Sequence, residues 1–184
     1  MIRSAMAILA FTGNCLLAAA VQAGPPLMGE FERFVVHDQP RPALQGALRA
    51  RDGATHRIAD FNGRTVLVNF WASSCEGSRY EVPTLNALQQ KIGGDRFSVV
   101  LVASDEGGWI PVNLFMNALG ITIANSYLDN GLSILRESGL TETRMGSILY
   151  NEQGLEIGRI DGWADWDTAE ARALIEYFID PANQ

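Results

Sequence analysis

Apolar positions follow two rhythms along this chain. Continuous or alternating apolar runs predict strands at Leu44–Arg49, His56–Ala59, Thr65–Trp71, Phe97–Ala103, Ile121–Tyr127, Ser147–Tyr150 and Leu155–Ile160. Turn formers at Asp52-Gly53, Asn62-Gly63, Gly93-Gly94-Asp95 and Gln153-Gly154 separate several of them. Between the strands the rhythm changes to a helical one, first at Val82, Leu85, Leu88 and Ile92, then across Val112–Leu119 and Thr168–Phe178. Asn130–Glu137 predicts a shorter helix with Asp129 as its cap. This order describes one α/β domain, a sheet covered by helices on both faces. Residues 24–43, with Pro25, Pro26, Pro40 and Pro42, read as an extended lead-in, which leaves the domain proper to 44–184.

The first 23 residues change the picture. Arg3 precedes an uncharged apolar run from Met6 to Val21, and Val21 and Ala23 are small enough for a signal peptidase. The segment is therefore read as a secretory signal cleaved after Ala23, which places the mature chain in the periplasm. An uncleaved membrane anchor is the lesser alternative, because Thr12, Gly13 and Asn14 interrupt a run already shorter than the roughly 20 residues of a span. Lipoprotein processing at Cys15 lacks a good lipobox.

Cleavage leaves 161 of the 184 residues and takes the formal net charge from −7 to −8, a balance that disfavours nucleic acid and anionic membrane surfaces as partners. No membrane span is expected after signal removal. Cleavage also leaves Cys75 as the only cysteine, so no internal disulfide can form even in an oxidising compartment. A lone thiol reads either as a reactive group or as a small buried apolar one. His37 and His56 are too few and too scattered for a metal site, and no cofactor is implied.

The chemistry concentrates in TVLVNFWASSCEGSRYEVPTLNAL, where a buried strand runs straight into an amphipathic helix with Cys75 at the junction. Unpaired N–H groups and the helix dipole favour an anion there, hence a thiolate. Ser78 is placed to offer its hydroxyl to the same sulfur, and Glu76 is a favourable first-turn acid. Pro83 removes one backbone donor from the helix and should kink it.

The segment NFWASSCEGSRYEVP resembles the NFWATWCxxCRxExP signature of the TlpA/ResA-like proteins of the redoxin type, matching at Asn69, Phe70, Trp71, Ala72, Cys75, Arg79, Glu81 and Pro83. DGATHRIADFNGRTVLV upstream and VVLVASDEG and QGLEIGRIDGWADW downstream extend the resemblance over about Leu44 to Asp180. It implies a thioredoxin-like fold, with a mixed central sheet and helices on both faces. It also implies thiol–disulfide exchange, in which a first cysteine attacks a partner's disulfide and a second resolves the adduct. Cys75 is the nucleophile in that scheme and Ser78 stands at the resolving position, which a hydroxyl cannot serve.

Glu81 falls where the family carries a glutamate beside its cysteines, so it is either a half-buried proton carrier for Cys75 or a solvated helix residue paired with a base such as Arg79. The partner groove implied by the resemblance takes in Trp71, Glu76, Gly77, Arg144, Met145 and Gly146. Ser74 replaces the family's tryptophan, and the loop Thr143–Ser147 lacks its cis-proline, with Arg144 or Met145 at that position. The proline's loss puts partner docking and metal exclusion in question, although Cys75 with Met145 would give Cu(I) only two ligands. A peroxiredoxin reading fails at Ala72 and Val68, where a threonine or serine and a proline would be needed.

Two functions follow. One is a monothiol oxidoreductase that forms mixed disulfides with exported protein thiols or disulfides, or with a low-molecular-weight thiol. The alternative is a non-catalytic binding or assembly factor in which Cys75 is a relic.

Overall fold

The computed structural model describes residues 24–129 and 131–183, so the leader expected at 1–23 lies outside the described residues. Two seven-residue strands, β4 (Thr65–Trp71) and β5 (Phe97–Ala103), form the centre, paired in parallel from Thr65↔Phe97 to Trp71↔Ala103 with every side chain buried. A parallel pair covered on both faces needs near-continuous apolar runs, and these two segments supply them apart from Asn69 and Ser98 in their interiors. Alternation then sorts the side chains. Leu67, Trp71, Val99 and Leu101 meet α1 (Glu76–Ile92), α2 (Trp109–Ala118) and α4 (Ala169–Ile179) through Val82, Leu85, Val112, Phe115 and Leu174. Val66, Val68, Phe70 and Val100 meet Ile58 and the short α3 (Ser133–Ser138) through Ile134 and Leu135 on the other face.

The remaining strands are β1 (Val35–Arg41), β2 (Leu48–Arg49), β3 (Thr55–His56), β6 (Ser126–Leu128), β7 (Gly146–Tyr150) and β8 (Glu156–Asp161), in the sheet order β1-β8-β7-β4-β5-β6-β2-β3. β7 pairs antiparallel with β4 and β8 antiparallel with β7, while β6 continues the parallel side. This is the expected mixed sheet with helices on both faces, a thioredoxin-like α/β fold. Among the described residues no helix is long and apolar enough to cross a membrane.

Several elements differ from their sequence expectation. The 24–43 segment, expected as a lead-in outside the core, builds the 3-10 turn Gly29–Arg33 and β1, which pairs with β8. Phe31 and Phe34 are buried in the core, Phe31 against Trp166 with ring centroids 4.9 Å apart. The prolines misled because Pro40 sits on an edge strand, where a missing N–H costs no ladder bond. His37 on β1 pairs with the Glu156 carboxylate at 2.7 Å, which Arg159 also engages through Nε and Nη2 at 2.7 and 2.9 Å.

Of Leu44–Arg49 only Leu48–Arg49 is strand, because Gln45 and Gly46 give their N–H groups to the Glu137 carboxylate instead. Of His56–Ala59 only His56, with Thr55, stays in the ladder, and Ile58–Phe61 closes into a 3-10 turn with Asp60 accepting from Arg57 N–H. Ile121–Tyr127 is mostly loop, since Thr122 N–H bonds Asn86 and pairing with β5 begins at Ser126.

The helix expected at Asn130–Glu137 is α3, which starts later, after Leu132 in the left-handed region (φ 58°). Asp129 does serve it: the buried carboxylate accepts from Ile134 N–H at 3.1 Å and Leu135 N–H at 2.8 Å. Replacing Asp129 by alanine orphans both donors. We expect a loss of roughly 1–3 kcal/mol, read as a lower urea midpoint at unchanged slope.

Candidate active site

Cys75 is the N-cap of α1, with an extended backbone (φ −83°, ψ 122°), and its N–H donates to Ala72 C=O at 3.0 Å. β4 ends at Trp71, and the chain turns through Ala72–Ser74 under control of Asp105, which follows β5. Asp105 accepts from Ser73 N–H at 3.0 Å and from Ser73 Oγ–H at 2.5 Å. The strand-to-helix junction is thereby fixed to the neighbouring strand's end. The Cys75 side chain is partly exposed and rests against the core cluster that contains Met145.

An open cleft of about 540 Å³ lies over this junction. Cys75, Glu76, Gly77, Ser78, Tyr80 and Glu81 form its α1 wall; Thr143, Arg144 and Met145 face them, and Gly162 and Trp163 close one end. Glu76, Gly77, Arg144 and Met145, named for a groove by the resemblance, line this cleft together with Cys75. Gly146 begins β7 just behind the wall, packed so tightly that a Cβ would stand 2.2 Å from Ile160 C=O.

Trp71 does not line the cleft. It is fully buried in the core, its ring 4.6 Å from that of Phe115, because its register on β4 points it under α1 and α2. Ser78 is buried as well, and its hydroxyl oxygen accepts from Ala72 N–H at 3.3 Å. This bond ties the first turn of α1 to the end of β4, and no hydrogen bond from Ser78 to the Cys75 sulfur is found among the described residues.

Glu81 departs furthest from a solvated helix residue: it is only 3% exposed. Its Oε1 accepts from Trp166 Nε1–H at 3.0 Å and from Ala164 N–H at 3.2 Å, both on the loop between β8 and α4. Burial pushes its pKa from 4.5 up to about 7, against the opposing pull of these donors, the Asn69 side chain and the Arg33 charge. The carboxyl therefore exchanges its proton near neutrality, within the cleft that holds Cys75.

Trp163, 52% exposed, and Tyr80, 64% exposed, were not expected in the groove. The Trp163 indole lies on Gly77, where a Cβ would stand 3.1 Å from Cδ1. The sequence signal for Trp163 was the Gly162-Trp163 pair: Gly162 has φ +77°, a conformation that favours glycine, and that turn aims the indole at α1. Across the cleft, Arg144 exchanges backbone bonds with Thr141 (2.9 and 3.4 Å), and Met145 C=O accepts from Gly162 N–H at 2.6 Å. Among the described residues no group of three or more His, Cys, Asp or Glu side chains is placed to hold a metal ion.

Comparison with known proteins places this geometry among related chains. A family model described as Redoxin matches residues 37–151. The thioredoxin-like protein YneN of Bacillus subtilis (strain 168) is 36% identical over 56 residues, which cover 30% of this chain and 32% of that protein. The match thus spans about a third of that relative's length. Among solved structures, a thiol:disulfide interchange protein of the thioredoxin family from Chlorobium tepidum TLS superposes with a TM-score of 0.62 at 23% identity, covering 78% of this chain and 99% of that one. StoA from Bacillus subtilis superposes with a TM-score of 0.56 at 23% identity, covering 73% and 98%. At these identities the structural likeness establishes the fold.

Proposed function

Because the chain belongs to the Redoxin family, we propose that it is an exported thiol–disulfide oxidoreductase working through one sulfur, Cys75. The observation that carries this reading is the pairing, in one cleft, of a partly exposed cysteine at a helix N-terminus with a buried carboxyl whose pKa lies at about 7. A relic cysteine would need no such acid, and burying Glu81 is costly without a task for it. Export rests on the leader pattern ending in VQA-G.

The Cys75 thiolate attacks one sulfur of a partner's disulfide. A Cys75–S–S–R bond forms, the second partner sulfur leaves as a thiolate, and Glu81 in its neutral form supplies the proton that thiolate takes up. Ser78 cannot resolve the adduct, so an external thiol attacks it, releases Cys75 and carries away R as a new disulfide. Electrons balance: the leaving sulfur is reduced in the first step and the external thiol is oxidised in the second.

Mixing the reduced protein with an excess of a disulfide joining two separate peptides, and removing the released peptide thiol by desalting, tests this. We expect a one-to-one adduct on Cys75 by intact mass that persists until an external thiol is added and then decays at a rate proportional to that thiol's concentration. Cys75→Ser should form none. A folded wild-type protein that gives no adduct, and whose Cys75 is alkylated by iodoacetamide only after denaturation, would sink the reading.

A further inference from the structure

The loop that joins β8 to α4 touches both walls of the cleft. Gly162 N–H holds Met145, Trp163 covers Gly77, Ala164 N–H and the Trp166 indole hold Glu81, and Trp166 N–H donates to Thr84 Oγ1 at 2.9 Å. Its outer side is held by the 3-10 turn Gly29–Arg33. Arg33 donates through Nη1 to Asp161 C=O at 2.5 Å and through Nη2 to Trp163 C=O. Glu30 Oε2 accepts from Asp165 N–H at 2.9 Å, and Phe31 packs on Trp166.

From these contacts we propose that Arg33, remote in sequence from the cysteine motif, is a positioning residue for the cleft. It clamps the carbonyls on either side of Gly162 so that Ala164 N–H stays aimed at Glu81 and the Trp163 indole stays on Gly77. The inference rests on the roles given above to Cys75 and Glu81. Its physical basis is the planar guanidinium fork, whose two nitrogens meet the two carbonyls from fixed, separate positions, where an ammonium is a single flexible point of donation. The clamped residue is a glycine at φ +77°, so without the fork this turn has the widest freedom to rotate. Arg33 also acts on Glu81 by charge. Other ionisable groups lining the cleft with Glu81 are Cys75, Glu76 and Tyr80 on its own element and Arg144 opposite, while Asp161, Asp165 and Glu30 stand at the clamp.

The test uses the mature chain carrying carboxyl-labelled glutamate, with Glu81 followed by carbon-13 NMR against pH and Trp163 by acrylamide quenching. Losing the clamp weakens the bonds that favour the carboxylate, so Arg33→Gln should move the Glu81 midpoint up by about half to one pH unit. It should also raise Trp163 quenching at least about twofold. Arg33→Lys keeps the charge and loses the fork, so a smaller upward shift with raised quenching is expected. If the Gln variant does not fold, the comparison of Arg33→Lys with the wild type carries the test alone.

Wild-type midpoints and quenching in all folded variants, with only the melting temperature lowered, would overturn the proposal and leave Arg33 as a brace for the fold. Both readouts work equally in a Cys75→Ser background. An intact shift in a protein whose Cys75 forms no adduct therefore leaves Arg33's role standing and removes only the oxidoreductase reading.

Discussion

A Ser78→Cys variant is expected to convert the persistent adduct into a transient one. Cys75 and Ser78 are the N-cap and third residues of α1, whose side chains meet at the head of a helix. Residues three apart on a helix stand roughly 5–6 Å between Cβ atoms, and a disulfide needs about 3.5–4.5 Å, a small closure in a first turn. A sulfur at position 78 attacks the Cys75 adduct from within the same chain, so the adduct's lifetime should shorten at least about a hundredfold and cease to depend on added thiol. The oxidised variant should lose two hydrogens by intact mass. An adduct as long-lived as the wild type's would mean that the position-78 sulfur stays turned toward Ala72, as the serine hydroxyl is now.

The second large effect concerns Glu81 and stability. Its pKa is about 7 in the folded protein and 4.5 in an ordinary environment, so between these values the folded chain holds a proton that the unfolded chain has released. The stabilisation is full below pH 4.5 and is lost as pH rises through about 7. Over that window the loss amounts to about 3 kcal/mol. Glu81→Gln keeps an acceptor for Ala164 and Trp166 and has no proton to release, so this component of its pH dependence vanishes. Urea midpoints should show the variant gaining on the wild type with rising pH and exceeding it above pH 7. Parallel curves for the two proteins would mean that Glu81 titrates as an ordinary exposed acid. The same substitution should slow adduct formation while leaving the adduct itself able to form.

The strand expectations at Thr65–Trp71 and Phe97–Ala103 match the structure residue for residue, because strands buried on both faces write as nearly continuous apolar runs, interrupted inside these two only at Asn69 and Ser98. Cys75 at the head of α1 was legible for a similar reason: the strand stops where the apolar run stops, and the helical spacing resumes just beyond. What could not be read were facts created by residues far away in sequence. Glu81 sits four and seven residues before Leu85 and Leu88, on the buried face of α1, but a carboxyl there reads as a solvated residue until the donors that hold it, Ala164 N–H and the Trp166 indole, arrive from a distant loop.

Trp71 belongs to the same motif as Cys75, so the resemblance drew it into the groove, while the pleat of β4 turns it to the opposite fate. Proline count hid the N-terminal turn and β1, because composition does not distinguish an edge strand from a linker. The Ile121–Tyr127 run is as apolar as a strand, but Asn86 takes the Thr122 N–H before any neighbouring strand can.

Sheet order has one more consequence, for how this molecule behaves in a crowd of its own copies. β1 and β3 are the outermost strands, and an outermost strand is a template on which another chain can add. β1 runs Val-Val-His-Asp-Gln-Pro-Arg: Pro40 has no N–H to offer a newcomer, Asp38 and Arg41 bring charge, and the pairing with β8 is irregular between Val36 and Arg41. β3 is only Thr55–His56, too short to nucleate a ladder. Both ends of the sheet are therefore closed to strand-by-strand aggregation, and the Pro40 that marked the segment as a linker protects one of them.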